Sequence, residues 1–168
     1  IYISHLIIQL RKSLAYFSDR TLDGFDLKSN YRRVNDIIET IIHVKNLSSI
    51  NQNTRLNLFE VLEACLIRDV VFSTTRRNIL IIFPYLIDSN KFSLKSDEDV
   101  PELISGARFL SLLLRKNGIL SFSRRFFYET PYFASISLEK NWYEEMERIT
   151  HHFSRIIGRG RFTSLAYD

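Results

Sequence analysis

The chain has 168 residues and a formal net charge of +4, a basic excess smaller than a dedicated nucleic-acid module carries but compatible with a basic patch. Its single cysteine excludes an internal disulfide, and a hydrophobic fraction of 45% excludes a chain too polar to fold. Five Gly and three Pro are few for a strand-rich domain, which needs many tight turns, so the composition points to long helices.

In Tyr2 to Phe17, the residues Ile3, Leu6, Ile7, Leu10 and Leu14 recur at helical spacing and define one apolar face. "SDRTLDGFD" then breaks the pattern with Asp-Gly turn chemistry. A second helix is expected from about Ser29 to Lys45, because the apolar pairs of "DIIETIIHV" are separated by Glu39-Thr40 and do not alternate singly. A third is expected from Thr54 to Arg68, with Thr54 as N-cap and Leu56, Leu58, Phe59, Leu62, Cys65 and Leu66 inward. A fourth, Thr74 to Ile87, is apolar through "ILIIFPYLI". It reads as the most buried element, kinked or ended early by Pro84.

"DSNKFSLKSDEDVPE" is the longest polar interruption and reads as a mobile loop, with any internal division of the chain at 88–100. Asp99 followed by Pro101 marks the start of a fifth helix, which runs to Lys116 and is closed by Gly118. A sixth helix is expected over Leu120 to Tyr128, and a seventh from Leu138 to Ile157. The tail "RGRFTSLAYD" has no helical period.

The stretch "VKNLSSINQNTRLNLFEVLEACL", residues 44–66, resembles one unit of the armadillo/HEAT-like helical-repeat family. The matching residues are Asn46, Leu47, Ser48 and Asn53 at the elbow, and Leu56, Leu62 and Leu66 on the packing helix. No second copy stands out, and the usual small-residue turn between helices is missing. The resemblance implies antiparallel helix pairs stacked as a short right-handed superhelix, and binding of an extended peptide or a neighbouring subunit along it.

Catalytic and cofactor motifs are missing from the pattern. "EEMERITHH" places Glu147 and His151 at i, i+4, but the i, i+3 Glu-His spacing of a di-metal helix fails, because Arg148 and Ile149 occupy those positions. Cys65 has no His or cation beside it in sequence and reads as a core thiol. Neither a nucleophile elbow nor a phosphate-binding Gly-rich loop occurs. "IYISHLIIQL" is interrupted by His5 and followed by Arg11 and Lys12, which is unlike a signal peptide. Arginine pairs are the more promising feature. Arg76-Arg77 and Arg124-Arg125, the latter close to the aromatic Tyr128 and Tyr132, combine the residue types that anchor interfaces or stack on nucleic acid.

These features describe an all-α single domain over 1–168, part of a larger intracellular protein, nuclear or cytoplasmic. Its expected role is non-catalytic: a protein-interaction or scaffold domain of a multi-protein complex, binding a partner protein or peptide through Arg76, Arg77, Arg124, Arg125, Tyr128 and Tyr132. Neither a metal, a cofactor, a small-molecule substrate nor a membrane is expected. The alternative is a helical RNA- or DNA-binding domain that uses the paired arginines.

Overall fold

The structure, a computed structural model, describes residues 2–17, 24–44, 47–87, 100–119 and 140–157. Among these residues it is entirely helical. The six helices are α1 (Tyr2–Tyr16), α2 (Gly24–Ile42), α3 (Gln52–Ile67), α4 (Ser73–Leu86), α5 (Val100–Lys116) and α6 (Lys140–Ile157), with a 3-10 turn at Leu47–Ser49 before α3. The count of about seven expected from periodicity is therefore six among the described residues; the helix expected over 120–128 lies outside them, as do the loop 88–99 and the tail.

Most boundaries fall within two or three residues of those read from periodicity, and the exceptions have local causes. The second helix begins at Gly24, well before the expected Ser29, with Asp26 in its first turn where a carboxylate meets the positive end of the helix dipole. The cap of α3 is Asn51, not Thr54. Asn51 is extended, and its side-chain oxygen accepts a 2.8 Å hydrogen bond from the Thr54 amide, so Thr54 sits inside the first turn. Pro84 lies in the last turn of α4, which ends at Leu86 as Ile87 turns extended.

Two helix ends close in the same way. Gly118 has φ +72°, its amide bonds to Arg115 and the Ile119 amide reaches back to Leu114 at 2.9 Å. After α3, Asp69 occupies the same left-handed position with φ 55°, its amide bonded to Leu66 and the Val70 amide to Cys65. Reversing the chain there puts Val70 and Val71 into the core at the mouth of α4.

Packing alternates along the chain. The odd helices contact one another, α1 with α3 and α3 with α5, and the even helices do likewise, α2 with α4 and α4 with α6. Cross-links fix the directions. Arg55 and Lys116 bond to Glu102 and Asp69 respectively, each across a separation of 47 residues, so α3 and α5 run parallel in constant register. On α1, Arg11 meets Glu60 at 3.7 Å and the Leu14 carbonyl accepts from Arg68, which makes α1 parallel to α3. Asn35 reaches Phe72 while Glu39 reaches Asn78, so α2 and α4 also run the same way.

Between the two layers lies an aliphatic and aromatic core. Phe59 of α3 stacks on Phe109 of α5 with ring centroids 5.3 Å apart, and Phe83 of α4 packs against both. Phe153 of α6 meets Phe83 edge-on at 6.4 Å. Gly106 of α5 makes that approach possible, since a Cβ there would stand 3.3 Å from Phe153 Cζ. The fourth helix is less enclosed than its apolar sequence suggests. Ile79, Leu80, Phe83 and Leu86 are buried, but Tyr85 is 57% exposed.

Candidate functional site

The outer face of the odd layer carries a groove of about 340 Å³ between α3 and α5, lined by Glu63, Ile67, Ile104, Arg108, Ser111, Leu112 and Arg115. Its geometry follows from helical periodicity. Ile104, Arg108, Ser111 and Arg115 succeed one another at spacings of four, three and four, so they form one stripe along α5. Glu63 and Ile67, at i and i+4, form the facing stripe on α3.

Polarity in the groove is unusual for a surface seam. Ile67 is 59% exposed and Ile104 37%, although both helices bury their other faces thoroughly. Arg108 and Arg115 are exposed, and neither side chain has an ion-pair or hydrogen-bond partner among the described residues. Neighbouring charges are matched: Glu60 meets Arg11, and Lys116 bonds to Asp69 at 2.7 Å. The small, half-buried Ser111 stands between the two arginines in the stripe, with the buried Leu112 beside it.

Beneath the N-terminal end of the groove lies a buried ion pair that the sequence reading did not single out. Arg55 is 1% exposed and Glu102 7%. Arg55 donates through Nη1 to Glu102 and through Nη2 to the Ile50 carbonyl at 2.8 Å. A signal was present in the pattern: Arg55 stands three and four residues before Leu58 and Phe59, hence on the buried face. Pairing, and not mere occupation of a core position, makes that burial tolerable.

Of the residues expected to contact a partner, Arg76 and Arg77 do not line this groove. Arg124, Arg125, Tyr128 and Tyr132 lie outside the described residues. Arg76 and Arg77 are half-buried at the start of α4, in the other layer. Arg76 donates to the Val71 carbonyl at 2.7 Å, and its own carbonyl accepts from Asn117, so it holds the corner between α3 and α4 against the end of α5. Arg33 of α2 lines a second, smaller hollow of about 180 Å³ with Tyr16, Asp26, Ser29 and Asn30.

The nucleophile and ligand candidates are placed as follows. Cys65 is fully buried, and burial pushes its thiol up to about 12, so it is protonated and unreactive at neutral pH. Glu147 and His151 lie on the exposed face of α6. His152 is held below its ordinary value of 6.5 by burial first, then by Arg148, Arg155 and His151. No group of three or more His, Cys, Asp or Glu side chains is placed to hold a metal ion among the described residues. No described helix is long and apolar enough to cross a membrane.

Trp142 of α6 is buried against α4. Its indole Nε1 donates to the Ile81 carbonyl at 2.8 Å. No family model, curated protein or solved structure matches the chain.

Proposed function

We propose that the chain is a non-catalytic protein-interaction domain with an armadillo-like arrangement, helix pairs stacked as a short right-handed superhelix, and that it seats a segment of a partner protein in the α3/α5 groove. The observation that carries this reading is the groove itself, where exposed Ile104 and Ile67, one on each of two parallel helices, flank two arginines of α5 whose side chains have no partner among the described residues. Alternating odd and even contacts and the parallel run of α1 with α3, α2 with α4 and α3 with α5 support the repeat-like stacking. A groove on rigid helices is preformed, so a partner loses little by ordering it. The domain then serves as one subunit surface of a larger assembly inside the cell, nuclear or cytoplasmic.

Co-purification with the full chain and with an Ile67→Asp/Ile104→Asp variant tests the reading. Both isoleucines are exposed, so the variant keeps its helical circular dichroism. A partner protein should be retained by the parent and lost by the variant, with only modest weakening between about 50 and 200 mM salt. Retention of RNA or DNA that falls by orders of magnitude over that range would replace this reading with nucleic-acid binding through the arginines.

A further inference from the structure

The charges of the groove go further and indicate what it binds. Arg108 and Arg115 are separated by seven residues, two helical turns, and so stand about 10.5 Å apart along α5. They project from the same stripe and their side chains have no partner among the described residues, of which Glu63 is the carboxylate that faces them across the groove. Glu60, the next carboxylate along α3, is matched by Arg11, so the unbalanced charge of the groove is positive. Apolar ground lies at both ends, Ile104 toward the start of α5 and Ile67 toward the end of α3.

Resting on the interaction-domain reading, we infer that the occupant is an acidic amphipathic helix. Its carboxylates at i and i+7 lie on Arg108 and Arg115, and its aliphatic side chains at i−4, i+3 and i+4 enter the groove toward Ile104, Leu112 and Ile67. A helix lying along α5 has the same rise per residue, so its two carboxylates keep step with the two arginines. The groove admits a few side chains at a time, because 340 Å³ is near the lower end of the roughly 300–1,000 Å³ usual for ligand pockets. That suits the apolar stripe of a helix laid into a surface groove. Planar guanidinium forks pair with carboxylates in bidentate fashion, which gives the contact a direction as well as a charge.

The test uses the full chain and a fluorescein-labelled Ala-based peptide of about 16 residues, long enough for helix formation. It carries Glu at i and i+7 and Leu at i−4, i+3 and i+4, and matched peptides carry Gln or Lys at the two acidic positions. Fluorescence anisotropy should show saturable binding of the Glu peptide, weaker binding of the Gln peptide and the weakest of the Lys peptide. Arg108→Glu/Arg115→Glu should weaken the Glu peptide about tenfold or more and strengthen the Lys peptide, a reversal that a merely structural effect does not produce. Equal binding of all three peptides, each abolished by Ile67→Asp/Ile104→Asp, overturns the acidic assignment and leaves the groove reading standing. Absence of saturable binding of any peptide overturns the acidic-helix assignment. Binding that the Asp variant leaves unchanged overturns both.

Discussion

Replacing Arg55 by Met isolates the buried ion pair that joins α3 to α5. The side chain is 1% exposed and its guanidinium reaches both Glu102 and the Ile50 carbonyl, so Arg55→Met leaves Glu102 charged in a site shielded from water. Removing one partner of such a pair costs about 3–5 kcal/mol, because the remaining charge keeps its desolvation penalty without its compensation. Domains of ordinary size have about 5–15 kcal/mol in total. At about 2–4 °C per kcal/mol for this chain length, the melting temperature should fall by about 6–20 °C. Glu102→Leu should lose a similar amount through the stranded guanidinium. The double variant Arg55→Met/Glu102→Leu should recover most of the loss, since neither charge is then buried. Urea unfolding followed by circular dichroism, with calorimetry for the melting point, measures all four corners of the cycle. Single-variant losses below about 1 kcal/mol, the range of an exposed pair such as Arg11–Glu60, would refute the reasoning. So would a double variant whose loss equals the sum of the single ones.

Asn35 is the second structural test. It is 3% exposed, donates to the carbonyls of Tyr31 and Val70, and accepts from the Phe72 amide at 2.8 Å, tying α2 to the corner between α3 and α4. Asn35→Ala strands buried backbone groups at Val70 and Phe72 and should cost about 2–4 kcal/mol in urea unfolding; a loss under about 0.5 kcal/mol, typical of an ordinary surface substitution, would refute that role. The pH dependence follows from His152. Its folded-state value lies below that of the unfolded chain, so the unfolded state binds more protons between the two and stability rises with pH through that interval, reaching its full value above 6.5. NMR titration should place the His152 midpoint below 6.5, and His152→Gln should flatten the stability curve on the acid side of that value; a midpoint at or above 6.5 contradicts the assignment.

Periodicity located the helices that the structure describes because apolar residues three and four apart can share a buried face in only one way. Ile37, Ile38, Ile41 and Ile42 are all buried on α2, despite side chains that are only middling helix formers. Ends were harder to read. Asn51 and Thr54 are both acceptable caps, and the choice depends on where the preceding 3-10 turn delivers the chain. Asp69 closes α3 in a conformation for which Gly or Asn is the usual sign, so that corner was hidden in the sequence. Asparagines other than those that carry the family resemblance hold these corners: Asn51 caps α3, while Asn35, in the middle of α2, secures the corner between α3 and α4.

The sequence by itself determined the all-helical character, the burial of Cys65 and the inward faces of α1, α2 and α3, because each is a property of local spacing and side-chain polarity. The groove was decided by tertiary structure. Arg108 and Arg115 are ordinary surface positions on an isolated amphipathic helix, and Ile67 is an ordinary exposed apolar residue after a buried stripe. Only the parallel packing of α3 on α5, held in register by Arg55–Glu102 at one end and Asp69–Lys116 at the other, brings them together. A side chain's face follows from its own helix, whereas its neighbours across a groove follow from a register between helices that are 47 residues apart in sequence.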